Sequence, residues 1–435
     1  MSPAATATQR LALRGDLLDF SAAPALDATS MHGVRWRADH WLLIENGRII
    51  SAQPAAQMPD PSWQRIDHSG RLILPGFIDT HVHSAQLDVI GSYGTELLDW
   101  LNTYTFPAER AWADPELARS GSARFLDALL AHGTTAAVVF PTSHKTSVDA
   151  LFGAAAERGM RMIAGKVLMD RNAPDGLRDD VELAERDCRD LIARWHGSGR
   201  NSYAVTVRFA PTSTPRQLAM AGALCASDPT LYMQTHVAEN RAEVAWVAEL
   251  FPAARSYLDV YEDAGLLHRR SVLAHGIWLD DADRARLQSA QAQIAFCPSS
   301  NLFLGSGLLD WQRSADAGVA VSLASDVGGG TSLSMQRTMA DAYKVQAMAG
   351  RRLSAWAMLH AATRGAATAL QLEHEIGSFD AGRAADVCVW DWGVGEVAQR
   401  RIAAARELHE RVFCWITLSD ERCLVAAYVA GVKQG

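Results

Sequence analysis

The chain has no C-x-x-C pair, and its six cysteines are scattered over 435 residues. This excludes a thiolate zinc site and a disulfide framework, and it points to a reducing, cytoplasmic compartment. There is no basic excess either. The formal net charge is −8, so no positive field exists to attract phosphates, and nucleic acid and anionic membrane surfaces are excluded as partners. No apolar run is long enough to cross a bilayer. The opening MSPAATATQR lacks the charged head and apolar core of a secretory signal. No low-complexity linker interrupts the sequence, and no repeat exceeds a strand–helix alternation.

What is present is a large soluble core: hydrophobic residues are 49% and charged residues 21%, ordinary for a globular protein. Residues 1–74 read as short strands and turns, with Asn46-Gly47 a strong hairpin signal. From residue 75 the pattern becomes strand, then helix, repeated. The apolar runs at 134–144, 161–170, 204–213, 231–240, 271–276, 293–300 and 319–326 join the opening run at 74–83 to make eight strands. Near-continuous apolar runs suit a parallel sheet covered on both faces. Eight such units predict a TIM-type (β/α)8 barrel over residues 75–374. Residues 375–435 return to a β pattern and are expected to complete a small β-sandwich with residues 1–74.

The chemistry gathers around LPGFIDTHVH, residues 74–83. On a strand, side chains at i and i+2 share a face, so His81 and His83 project together and suit two ligands of one metal ion. His236, His275 and Asp326 follow later apolar runs at predicted strand ends, where barrel enzymes carry their sites. Three imidazoles and a carboxylate around one ion leave room for a water. The pKa of such a water falls from about 15.7 to roughly 7, which yields hydroxide at neutral pH. Glu239, three residues after His236, could carry protons without ligating the metal, as a glutamate does in zinc deaminases.

Other residues weigh towards plainer roles. His132 reads as a packed core histidine, and Cys297 as a small buried residue. His144 ends the second strand and is a weaker candidate for the pocket. Gly328-Gly329-Gly330 would either admit a ligand close to backbone or form a tight turn; it lacks the context of a nucleotide fingerprint.

PGFIDTHVH, QTHVAEN, LAHG and SLASD resemble the amidohydrolase superfamily. The finer stretches GTELLDWLNTYTFPAER (94–110), GKVLMDRNAPD (165–175), RFAPTS (208–213), CPSSNLFLGSG (297–307) and SDVGGGTS (325–332) resemble its guanine deaminase branch over nearly the full length. The resemblance implies hydrolysis of guanine to xanthine and ammonia, a step of purine catabolism. It implies one zinc per chain on His81, His83, His236 and Asp326, with iron as the alternative metal. Arg208 stands where binuclear relatives place a carboxylated lysine, which supports one metal. The implied catalytic groups are Glu239, His275 and Asp326: Asp326 and His275 would orient and deprotonate the water, hydroxide would attack C2, and Glu239 would deliver a proton to N3. The implied substrate contacts are His83, Gln86, Arg208, Phe209, Glu239 and His275. A guanidinium suits the O6/N7 acceptor edge of guanine; Phe209 would stack on the base or face the helices. Ser84-Ala85 replaces the aromatic residue and proline usual after H-x-H, which predicts a wider or rearranged pocket wall. A homodimer is implied by resemblance only. The alternatives are a deaminase of another amino-heterocycle, of the pterin or 8-oxoguanine type, and a non-catalytic amidohydrolase-like scaffold.

Overall fold

A computed structural model describes residues 9–93 and 97–435; the first eight residues of MSPAATATQR and the Gly94-Thr95-Glu96 head of the 94–110 stretch lie outside the described residues. The chain divides into two compact units. One comprises the described residues through Ile78, with Leu130–Thr135 and Ser354–Gly435; the other comprises Asp79–Leu129 and Ala136–Leu353.

The first unit begins with β1 (Arg10–Phe20), β2 (Val34–Glu45), β3 (Arg48–Pro54) and β4 (Gln64–Pro75). The expected hairpin joins β2 to β3: Asn46 and Gly47 both take positive φ, 49° and 75°, as a two-residue turn matching strand twist requires. The chain then runs through the strands of the second sheet: β5 (Phe77–His83), β6 (Thr134–Phe140), β7 (Arg161–Ala164), β8 (Val167–Leu168), β9 (Asn201–Val207), β10 (Tyr232–Val237), β11 (Ser271–His275), β12 (Gln293–Phe296) and β13 (Ala320–Leu323). It returns to the first sheet as β14 (Val387–Trp390), β15 (Leu424–Val429) and β16 (Val432–Gln434).

The terminal strands form one sheet in the order β16-β15-β14-β4-β1-β2-β3. The two ends of the chain meet where β14 pairs antiparallel with β4, setting Val389 opposite Ile73. Leu11, Leu13, Leu42 and Ile44 share one apolar cluster with Val387, Val389, Ala426 and Tyr428. The expected N- and C-terminal β unit is therefore a single folded entity with its own core.

In the other sheet the order is β13-β12-β11-β10-β9-β7-β6-β5, with β8 pairing to β9. From β6 through β13 neighbouring strands pair in parallel. Every residue of β5, β6, β9 and β11 is buried, which explains their unbroken apolar runs. The first and last strands approach each other to nearly close a (β/α)8 barrel. Thr80 Oγ1 donates to the Leu323 carbonyl at 3.0 Å, Asp326 N to the His81 carbonyl at 2.9 Å and His83 N to the Val327 carbonyl at 2.8 Å. The apolar run at 161–170 is not one strand. It breaks between β7 and β8 at Gly165, where any Cβ would sit 1.8 Å from the Ala204 carbonyl oxygen.

Candidate active site

The four metal ligands expected from sequence, His81, His83, His236 and Asp326, converge with His275 at the C-terminal ends of the barrel strands. His81 and His83 lie on β5, His236 on β10 and His275 at the end of β11, while Asp326 lies three residues past β13. His81 Nε2 and His83 Nε2 are 3.3 Å apart. His83 Nε2 and His236 Nε2 are 3.4 Å apart, and Asp326 Oδ1 lies 3.2 Å from His81 Nε2 and 3.3 Å from His83 Nε2. One ligand atom from each of the four lies within 4.8 Å of the others. Three imidazole nitrogens do not crowd together with a carboxylate in a buried site to satisfy one another. Lone pairs facing one point are the donor set of a borderline cation.

The protonation states agree. Burial pulls His81 down to about 4 and pulls His236 well below the ordinary imidazole range, so both are neutral, as ligation requires. His236 Nδ1 lies 2.6 Å from the Arg208 carbonyl, and donation there leaves Nε2 free for the metal. Burial would raise the Asp326 carboxyl, but His81 and His83 outweigh it and hold it well below its usual range. A second grouping, His81, His275, Cys297 and Asp326, is equally compact. Cys297, however, has its thiol driven well above its usual range by burial and donates to the Ala295 carbonyl, as a packed residue does. Gathering these groups requires backbone that non-glycine residues seldom adopt: φ is 72° at His275 and 50° at Asp326. Such strain is concentrated at functional sites.

Beside this cluster lies a cavity lined by His83, Gln86, Arg208, Phe209, Glu239 and His275, with Trp100, Leu101 and Leu304 as apolar walls. Apolar walls with a few convergent polar groups are the make-up of a small-molecule site. All six residues expected to contact substrate are present in it, and Phe209 lines it. Ser84 and Ala85 do not; Ala85 packs on Trp112 and Ala118. The departure from the usual aromatic–proline pair therefore falls outside the cavity wall. His144 is not at this site: it lines a separate polar cavity with Lys166 and Asp179.

Glu239 is 4% exposed. Burial raises its carboxyl above the usual range, opposed by His275, which suits a proton carrier. Ser306 Oγ donates to its Oε1 at 2.8 Å, and its Oε2 lies 3.4 Å from His275 Nε2. His275 Nδ1 lies 2.8 Å from Asn301 Oδ1. Burial lowers His275, but the Glu239 and Asp326 carboxylates more than reverse this. The helix Arg241–Leu250 begins just beyond. Its capping residue is Asn240, and Glu243 accepts from Glu239 N and Asn240 N at 2.9 and 3.0 Å. The cap that starts the helix therefore also fixes the backbone of Glu239.

Three residues were not picked out from the sequence. Glu109 accepts from Arg208 Nη1 at 2.6 Å and from Gln86 Nε2 at 2.8 Å. Asn301 and Ser306 hold His275 and Glu239. All three lie inside stretches that carried the resemblance, 94–110 and 297–307, where a charged residue in a largely apolar context was the available signal for Glu109.

The profile of the amidohydrolase family matches residues 72–429, and the chain belongs to that family. It is 43% identical over 424 residues to guanine deaminase of Escherichia coli (strain K12), covering 97% of this chain and 96% of the relative. The solved E. coli guanine deaminase structure superposes with a TM-score of 0.93 at 42% identity, covering 98% of this chain and 99% of the other. The guanine deaminase structure from C. acetobutylicum, which has guanine bound in its active site, superposes with a TM-score of 0.87 at 27% identity, covering 98% and 100%. Within the family, the chain is one of the guanine deaminases.

Proposed function

We infer that the protein hydrolyses guanine to xanthine and ammonia, that its metal is zinc on His81, His83, His236 and Asp326, and that the barrel, residues 75–374, is the catalytic domain. When bound, the metal supplies Lewis-acid activation of a water. Arg208 holds the O6/N7 edge of the base through its guanidinium fork. Trp100, Leu101 and Phe209 exclude bulk water from its faces. Glu239 takes a proton from water as the water oxygen bonds to C2, and passes it to N3. It then takes the proton of the new C2 hydroxyl and delivers it to the exocyclic nitrogen as the C2–N bond breaks, which leaves the C2 carbonyl and releases ammonia. His275 and Asp326 hold the water.

The observation that carries this reading is the joint placement of Glu239 and Arg208 in one cavity beside the four-ligand cluster. The similarity to guanine deaminases over nearly the whole chain supports guanine as the substrate. Six unpaired, buried cysteines fit a cytoplasmic protein, and a homodimer follows from the resemblance alone. The test is a panel of guanine, adenine, a pterin and 8-oxoguanine assayed for ammonia release by metal-loaded protein. Guanine is expected to be the preferred substrate; ammonia from another base only would reject the assignment.

A further inference from the structure

Glu109 is fully buried, and each of its carboxylate oxygens holds a different residue of the ligand cavity: Oε2 takes Arg208 Nη1 at 2.6 Å and Oε1 takes Gln86 Nε2 at 2.8 Å. Gln86 is engaged at its other end too, where Oε1 accepts from Gly328 N at 3.2 Å. The Arg208 guanidinium, 3% exposed, lies 5.0 Å from the Phe106 ring. A buried guanidinium without a counter-charge recruits an anion, because an uncompensated charge out of water is costly. Here the counter-charge is built into the protein.

Resting on the guanine reading above, we propose that Glu109 sets the charge selectivity of this pocket. By neutralising Arg208 it leaves a donor fork that takes a neutral purine and turns away a purine anion. The distinction matters for this reaction. Guanine is neutral near physiological pH, whereas xanthine, with its additional imide N–H, is more acidic and partly ionised there. A pocket with a lone Arg208 charge would hold its own product as the anion. With the Glu109 pair in place, ionisation of the product favours its departure. Two unit charges a few ångströms apart in a protein interior interact strongly enough to change an affinity by about tenfold or more.

The test is equilibrium binding of xanthine and hypoxanthine to metal-loaded protein at mildly alkaline pH, where xanthine is mostly the monoanion and hypoxanthine mostly neutral. Wild type, Glu109→Gln, Arg208→Gln and the double variant are compared, with metal content and thermal melting recorded for each. Glu109→Gln is expected to shift the relative affinity towards xanthine by about tenfold or more. Arg208→Gln shifts it the opposite way, and the double variant returns it near the wild-type ratio. One common ratio in all folded variants, even with both ligands weakened, would mean that Glu109 is only structural and would overturn the proposal. If Glu109→Gln does not fold, Arg208→Gln and the double variant still decide the matter: equal ratios in these two overturn it. If wild-type protein makes xanthine from guanine but the variants show no shift from its ratio, this proposal alone is refuted. Wild-type protein that does not convert guanine refutes the reading beneath it.

Discussion

Arg208→Lys keeps a positive charge at the cavity wall and removes the fork. In the native protein, Arg208 Nη1 donates to Glu109 Oε2 at 2.6 Å while the side chain also lines the ligand cavity. The planar guanidinium has five donors in fixed directions, so it can serve both at once; an ammonium is a single point on a flexible stem. Lysine can keep Glu109 or the purine edge, but not both with good geometry. A hydrogen bond to a charged group is worth about 1.5–3 kcal/mol, and 1.4 kcal/mol is about tenfold in affinity. The KM for guanine should therefore rise by roughly 10–100-fold. The ligand His236 meets Arg208 at its main-chain carbonyl, which the substitution keeps, so metal content should not change. Steady-state kinetics with xanthine formation followed by absorbance, beside elemental analysis of the same preparation, checks both. A KM within about twofold of wild type, on fully metallated protein, would show that Arg208 does not hold the substrate.

Further expectations follow from other contacts. His236→Ala removes one of the four convergent ligands and should abolish metal binding and activity together; an active, metal-free preparation would overturn the ligand set. Ser306→Ala removes the donor to Glu239 Oε1 and should lower kcat by about tenfold with metal retained, which single-turnover measurement would detect. In the first unit, burial would raise the Asp380 carboxyl, but hydrogen bonds from Arg35, Arg364 and Ser378 reverse this and hold it below its ordinary range. A carboxyl depressed in the folded state stabilises above its unfolded pKa of about 3.9, and that stability is lost as pH falls towards the folded value. Asp380→Asn should therefore cost about 1 kcal/mol at neutral pH, after allowance for solvent screening. The difference from wild type should shrink in acid melts; a constant difference would contradict the assignment.

The metal ligands were legible because local rules place them. The i, i+2 spacing of His81 and His83 puts both on one strand face, and parallel barrels gather strand ends. The apolar runs are longer than the strands they contain, because apolar composition continues past the last ladder bond: the 134–144 run leaves the sheet after Phe140. The triple glycine serves both expected purposes. A Cβ at Gly330 would meet the Ser325 carbonyl at 1.8 Å, as in a tight turn, while Gly329 lines the cavity. Glu109, Asn301 and Ser306 were not legible, since their partners lie 99, 26 and 67 residues away and no local period encodes such meetings. His144 shows the converse: it follows a barrel strand, yet it is directed to another cavity.

The central claim is that this cavity moves protons through Glu239 while other residues hold the metal and the base. Glu239→Gln, assayed for metal content, guanine binding and ammonia release on one preparation, tests it most directly. The glutamine has nearly the same size and can hydrogen-bond to Ser306, but it cannot carry a proton. The expected protein is fully metallated, binds guanine and turns over at least about a hundredfold more slowly. Loss of the metal would make Glu239 a ligand, and full activity would assign the proton transfers to another group; either result contradicts the account.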